Sequence, residues 1–471
     1  MIDDAGTRMH ALAERLYPLC RSITGDGLRE SLRIIAEEIP IEIKGVSSGT
    51  PVFDWTVPQE WKVREAWIRD PNGREVVNFR DHNLHLVGYS RPVRKRMTLP
   101  ELLPHLHSNP QMPDAIPYRT GYHDESWGFC LSQNAIDQLA DGEYEVCVDT
   151  ELFDGELNYG ELLISGIGSE EVLVSCHCCH PSMANDNLSG MVVAAELAAR
   201  LLDQPLRYSF RFLFLPGTIG SITWLAKNES LLPRISCGLV LACVGDQGSL
   251  SYKKTKQKNS LIDRAVDSVF RDSCPNATVR DFMPYGYDER QYASPGINLA
   301  VGCLSRSTYG SFPEYHTSAD DLSFITPASL QDTLEKLERI VLAVDQNSRH
   351  LNLKPMAEPM LGKYGLYSRT GGDRTGKFEE LAMLWVLSFS DGAHDLLSIS
   401  EISGIGFEII LDAAQRLTEA GFWASCQSEF NLAVGSAPSA CFPVISTMPT
   451  SQTARRIRLR MSRRLFHLPC R

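Results

Sequence analysis

No apolar run in this 471-residue chain approaches the roughly 18 residues that a membrane-spanning helix needs. The opening residues, Met-Ile-Asp-Asp-Ala-Gly, are acidic and lack a basic segment followed by an apolar one, so no secretory signal is expected. Positive charge is in deficit: 46 Lys and Arg stand against 58 Asp and Glu, a net charge of −12. That balance argues against bulk binding to nucleic acid. No second cysteine pair follows Cys176, Cys178 and Cys179 at zinc-ribbon distance, which argues against a thiolate zinc site. The 13 cysteines are odd in number and scattered, mostly in apolar surroundings such as those of Cys237, Cys243 and Cys303. Buried free thiols in a reducing, cytoplasmic setting are the simplest account. At about 150 residues per domain, the length suggests roughly three domains.

The chemistry concentrates in His177-Cys-Cys-His180-Pro-Ser-Met-Ala-Asn-Asp186-Asn187-Leu-Ser-Gly190. The preceding run, Glu171-Val-Leu-Val-Ser-Cys176, reads as a buried strand, and the Ala/Leu-rich stretch from 187 to 202 as a helix. Sites in open α/β sheets form at the carboxyl ends of strands. Imidazole and carboxylate are natural ligands of a catalytic zinc, which keeps one position open for water. Asp186 has an alternative role as a helix cap.

Three further strand-like runs end in polar loops. Arg211-Phe-Leu-Phe-Leu-Pro216-Gly217-Thr-Ile-Gly220-Ser turns into a helix, and Gly238-Leu-Val-Leu-Ala-Cys-Val-Gly245-Asp246 ends in an acid. Gly286-Tyr-Asp288-Glu289-Arg290-Gln-Tyr292 precedes an apolar stretch from Ser294 to Val301, expected as a strand. Pro313-Glu-Tyr-His316-Thr-Ser-Ala-Asp-Asp321 then places another histidine among carboxylates. Alternation of strands with helices predicts an α/β fold, a mostly parallel sheet flanked by helices on both faces.

The order of these motifs resembles the zinc aminopeptidases of the aminopeptidase S/Y type. Within them it is most similar to a bacterial group of aminopeptidase-like proteins with an inserted β-rich domain and a C-terminal winged helix. The segments that carry the resemblance include Tyr122-His-Asp-Glu-Ser-Trp127, Asn185-Asp-Asn-Leu-Ser-Gly190, Asp288-Glu-Arg-Gln-Tyr292 and Tyr315-His316-Thr317, and it spans roughly residues 8 to 430. The resemblance implies Asp186, His316 and a strand-end histidine as zinc ligands. Both His177 and His180 qualify for the last place, with His180 nearer the most distinctive motif. It also implies that Arg290, Tyr292, Tyr315, Tyr122 and Trp127 contact substrate, and that the reaction is hydrolysis of an amide next to a free amine.

Two positions depart from that pattern. Two-zinc relatives place Glu-Glu after the second strand, and the nearer group resembles Pro-Glu-Thr-Ile-Gly-Ser, whereas this chain reads Pro216-Gly217-Thr-Ile-Gly-Ser221. A general base contributes about 10²–10⁴-fold in rate, so a missing carboxylate at 217 implies impaired hydrolysis or an altered, metal-binding protein. Glu314, Asp288 and Glu289 are the candidates to replace it. The other departure is Ala242-Cys-Val-Gly245, where an aspartate ligand is expected and Asp246 lies four positions on. Together these losses favour one zinc over two.

Residues 1–45 and 156–350 are expected to form the α/β domain, and residues 46–155 a β-rich insertion that roofs the site. The insertion carries four of the seven tryptophans and a strong hairpin signal at Asp70-Pro-Asn-Gly73. Residues 360–435 have a helix-turn-helix pattern with Gly404 and Gly406 in the turn, expected as a winged-helix-like domain. Glu408, Asp412 and Glu419 outnumber Arg416 on its second helix, and a reading helix needs cations. A packing or dimerisation module is therefore favoured over DNA binding or a regulatory scaffold, and a homo-oligomer is compatible with it. Ser251-Tyr-Lys-Lys-Thr-Lys-Gln-Lys258 reads as a solvated loop or an anion grip, and residues 436–471 as an atypical basic tail. A small peptide, an amino-acid conjugate or a sugar amide all fit as substrate, with no membrane partner.

Overall fold

The structure, a computed structural model, describes residues 4–122, 124–366 and 374–425; the expected basic tail at 436–471 lies outside them. Eight strands form the central sheet, numbered here along the chain: β1 Glu42–Ser47, β2 Glu156–Ile164, β3 Glu171–His177, β4 Ser209–Leu215, β5 Ile235–Leu241, β6 Ser251–Lys253, β7 Thr278–Arg280 and β8 Val301–Ser305. Their order across the sheet is β1-β2-β4-β3-β5-β8-β6-β7. The four middle strands run parallel, while β1, β2 and β6 introduce antiparallel pairs. The sheet is therefore mixed around a parallel centre.

Every residue of β3 and β4 is buried, as strands covered on both faces require. Alternate side chains serve different cores. Val172, Val174 and Cys176 join a cluster with helices Ala5–Leu16, Ser189–Leu201 and Pro327–Gln346. Leu173, Leu213 and Val240 join a second cluster with helix Ile219–Lys227 and the interior of the insertion, including Trp61, Tyr89 and Val146. The stretch from Ser294 to Val301 does not pair as a strand; it turns, and enters the sheet only at Val301. Pro295 has no N–H to donate, and Asn298 adopts φ +54, so extended pairing is interrupted there.

Between β1 and β2 the chain builds a four-stranded antiparallel sheet ordered Glu75–Asn78, Glu60–Arg69, Glu143–Phe153, Val93–Thr98. Its first hairpin turns at Asp70–Gly73, where Asp70 Oδ1 accepts from the N–H groups of Asn72 and Arg74, both at 2.9 Å, and Gly73 takes φ +80. One segment of the insertion reaches the far end of the central sheet. Tyr118 N–H donates to His316 O at 2.8 Å, Ser318 N–H to Ile116 O at 2.8 Å, and Pro117 bridges Thr317.

After Pro327–Gln346, strands Arg349–Asn352, Asp391–Asp395 and Trp423–Ser425 form a small antiparallel sheet beside helices Arg374–Phe389, Leu396–Ser403 and Phe407–Glu419. Gly404 ends the second of these helices at φ +69, a left-handed cap that favours glycine. This winged helix is joined to the α/β unit by Arg264, which bonds Asp395 through both terminal nitrogens at 2.9 and 2.7 Å and reaches Glu401 at 2.8 Å. Burial acts to raise Asp395, but bonds from Arg264, Asn347 and Ser398 outweigh it and hold this carboxyl well below its ordinary range. A depressed folded value means that the contribution is present at neutral pH. It fades as pH falls below the unfolded value of about 3.9 toward the folded one. Arg264→Met should remove about 2 kcal/mol from this joint and speed limited proteolysis around residues 350–366 several-fold at pH 7. An unchanged cleavage rate would show that the joint is held by apolar contacts alone.

Candidate metal centre

Strand β3 ends on His177, whose ring is fully buried and whose Nε2 lies 2.7 Å from Asp186 Oδ1. Asp186 sits in the turn Ala184–Leu188 that precedes helix Ser189–Leu201. That turn is fastened on two sides. Asp320 accepts the N–H groups of Asn185 and Asp186 at 2.6 and 2.9 Å, and its carbonyl takes Ala184 N–H at 2.9 Å. Asn187 donates to Leu241 O at 2.9 Å and accepts from Cys243 N–H at 3.1 Å, tying the turn to the end of β5. Asn185 accepts from Gly245 N–H and donates to Asp246, both at 2.9 Å. The asparagines flanking Asp186 therefore satisfy buried main chain, and apolar replacements would leave those groups unpaired.

His180 and His316 approach from separate loops. One donor atom each from His177, His180 and Asp186 lies within 4.8 Å of the others. His316 Nε2 stands 3.0 Å from Asp186 Oδ2. His180, Thr218, Cys243 and His316 all take φ between +56 and +65. Left-handed backbone at non-glycine residues costs about 1–3 kcal/mol each and persists only where surroundings impose it. For His180 that surrounding is Arg21, itself fully buried, which donates to His180 O at 2.9 Å. For His316 it is the insertion, through Tyr118 N–H.

Electrostatics suits a cation. Desolvation pushes the His180 imidazole down to about 3, keeping it neutral and so able to offer a lone pair. Burial acts to raise Asp186, but the neighbouring His180 ring and the bonds to His177 and His316 overcome it and hold the carboxyl well below its usual range. A buried carboxylate kept ionised among three imidazoles matches the donor set of a zinc site.

The profile of the DUF4910 family, a domain of unknown function, matches residues 10–347, and a winged helix-turn-helix profile matches 348–424. The chain belongs to the DUF4910 family. A Clostridium acetobutylicum relative, named for polysaccharide biosynthesis with an aminopeptidase-like domain, is 48% identical over 414 residues, covering 88% of this chain and 95% of the relative. A crystal structure from the same organism, named as a peptidase, superposes with a TM-score of 0.86 at 46% identity, over 90% of this chain and 97% of that one. The zinc aminopeptidase BSAP of Bacillus subtilis shares the fold at a TM-score of 0.54 and 14% identity, over 72% of this chain and 94% of its own. The DUF4910 unit is thus aminopeptidase-like in fold.

Within this DUF4910 unit, the residues singled out from sequence fall in different places. His177, His180, Asp186 and His316 converge. Tyr315 stacks on His316 at 3.9 Å and its hydroxyl lies 2.7 Å from that of Tyr287. Tyr122 reaches the cleft only through Tyr118, hydroxyl to hydroxyl at 3.0 Å. Trp127 stacks on His105 at 3.7 Å inside the insertion, and Tyr292 is fully buried against Ser175 Oγ at 3.0 Å; neither meets the imidazoles. Arg290 is exposed and pairs with no carboxylate among the described residues.

Of the three carboxylates considered as substitutes for an acid at 217, Glu289 is fully buried against Lys253 in an ion pair. Glu314 is half-buried on the His316 loop. Asp288 Oδ1 accepts from Thr218 N–H and Ser221 Oγ, both at 2.8 Å, while its Oδ2 is buried without a partner. Asp246 cannot supply the missing ligand after β5, because Asn185, Gly248 and Ser307 occupy both its oxygens. In the lysine run, Lys253, Lys254 and Lys258 each pair with an acid, and Lys256 reaches Ala293 O at 3.4 Å.

Sequence reasoning missed Tyr118, Tyr287, Arg21 and Asp320. Tyr287 and Asp320 stand next to quoted motif residues, and adjacency was their only signal. Asp320 is the clearest structural dependency: Asp320→Ala leaves two buried N–H groups without acceptors, at about 1–3 kcal/mol each. A marked fall in the urea midpoint of zinc-free protein is the expected result, and an unmoved midpoint would show that water takes over both donors.

Proposed function

We propose that this protein is a zinc-dependent, aminopeptidase-like hydrolase that cleaves an amide next to a free amine. The observation that carries the reading is the meeting of His177, His180 and Asp186 donor atoms within 4.8 Å at the end of a central parallel strand. His316, on the second oxygen of Asp186, is the remaining ligand candidate. When bound, zinc supplies Lewis acidity toward a carbonyl oxygen and acidifies water at the same place. We assign one ion per chain.

Asp288 is the residue we assign to accept a proton. Gly217 has no side chain, and Asp288 is joined to the next residue, Thr218, by a main-chain bond. Burial raises the Asp288 pKa, the direction that favours holding a proton during turnover. Tyr118, edge-on to His180 and His316, and Tyr315, stacked on His316, line the cleft. A small peptide, or an amino-acid or sugar amide, is the substrate class such a cleft admits. The ten cysteines among the described residues are free, which supports a reducing, cytoplasmic location. Docked through Arg264 and carrying acids on helix Phe407–Glu419, the winged helix is assigned to packing and not to nucleic acid.

A second reading has its own support. A Cβ at position 217 would stand 3.1 Å from Cys179 Sγ, so the place of an acid is already crowded by a thiol. A metal-binding protein without hydrolytic turnover fits that observation.

Zinc content and turnover of an aminoacyl-amide panel, measured on the same samples, separate the two. Wild type should hold about one zinc, and His177→Ala should lose it. Asp288→Asn keeps an acceptor for Thr218 and should retain zinc while turnover falls about 10²–10⁴-fold. Gly217→Glu, which needs Cys179 to yield a few tenths of an ångström, should raise turnover. Zinc without any turnover in wild type would favour the second reading, and absence of zinc under replete conditions would reject both.

A further inference from the structure

The second oxygen of Asp186 is occupied by the chain itself. Tyr287 Oη lies 2.8 Å from Asp186 Oδ2, and its ring stacks on His177 at 4.2 Å. A carboxylate only accepts, so Tyr287 must donate its single proton to Asp186. Its oxygen is then left to accept from the Tyr315 hydroxyl at 2.7 Å. The direction of both bonds is thereby set: Tyr315 to Tyr287 to Asp186. Oδ1, on the other side, faces His177 at 2.7 Å.

A second cation on Oδ2 would need further protein donors, and the surroundings do not provide them. His316 is already assigned to the first ion, Asp320 spends both oxygens on main-chain N–H groups, and Asp246 is saturated. Position 217 has no side chain. Among the described residues, His177, His180 and Asp186 form the one group of three donors close enough to share an ion.

We infer that Tyr287 is a positioning residue that caps the second oxygen of Asp186, so that this carboxylate, with the histidines around it, would serve a single zinc. The inference rests on the zinc reading above and names what sets its stoichiometry. Tyr315 supports the cap by orienting the Tyr287 hydroxyl. Partners one shell outside a metal ligand commonly change affinity by about 10–100-fold when removed.

The test is zinc stoichiometry and affinity, by metal analysis after zinc-replete dialysis and by competition with a chromophoric chelator. Wild type should bind one zinc per chain. Tyr287→Phe should bind one with a Kd weakened about 10–100-fold, and Tyr315→Phe should weaken it by less. Two zinc ions in wild type overturn the inference, as does a Tyr287→Phe affinity within about threefold of wild type or a larger loss in Tyr315→Phe. If Tyr287→Phe does not fold by circular dichroism, Tyr315→Phe decides, since it leaves the Tyr287 ring in place: an unshifted Kd overturns the cap. A wild type without zinc overturns the zinc reading and this inference together, whereas one zinc with unshifted variants overturns the inference alone.

Discussion

The Asp186 carboxylate is the constraint on which the cleft is built. It is fully buried, yet it stays ionised because His177 meets one oxygen while His316 and Tyr287 meet the other. A buried charge costs several kcal/mol unless it is paired and hydrogen-bonded. Each partner comes from a different part of the chain: the end of β3, the loop that follows β7, and the loop that follows β8. The charge therefore makes the correct meeting of three remote segments a condition of stability, and the left-handed residues around it are tolerated because that meeting holds them.

Much of this was legible in the residues. Fully buried β3 and β4 showed as largely apolar runs, the hairpin at Asp70–Gly73 as a turn signal, and the turn before helix Ser189–Leu201 as Asn-Asp-Asn followed by Ser and Gly. The segment from Ser294 to Val301 misled because apolarity alone does not report the φ of Asn298. Tyr292 and Trp127 misled for a related reason. A motif states which residues travel together, whereas the local turn of the chain decides which of them face the cleft, and Tyr292, at the end of the short helix Glu289–Tyr292, points toward Ser175.

Tyr118 and Arg21 could not have been read from spacing. Arg21 lies 159 residues before the carbonyl it holds, and nothing in Cys20-Arg-Ser-Ile-Thr-Gly25 announces a buried guanidinium. Its charge has no carboxylate beside it among the described contacts, and burial lowers its pKa to about 10, so it remains charged at neutral pH. A lone buried cation is sustained by main-chain carbonyls, one of them at a candidate ligand. The loop that follows helix Ala5–Leu16 is thus part of the cleft's support.

The pairing of Ile116–Tyr118 with His316–Ser318 ties the inserted sheet to the loop that carries His316. The same few main-chain bonds that close the roof also set where an imidazole points. Roof and ligand cannot drift apart over evolutionary time without altering each other. Enlarging or reshaping the insertion would shift the His316 imidazole in the same step, so that these two parts of the architecture can change only together.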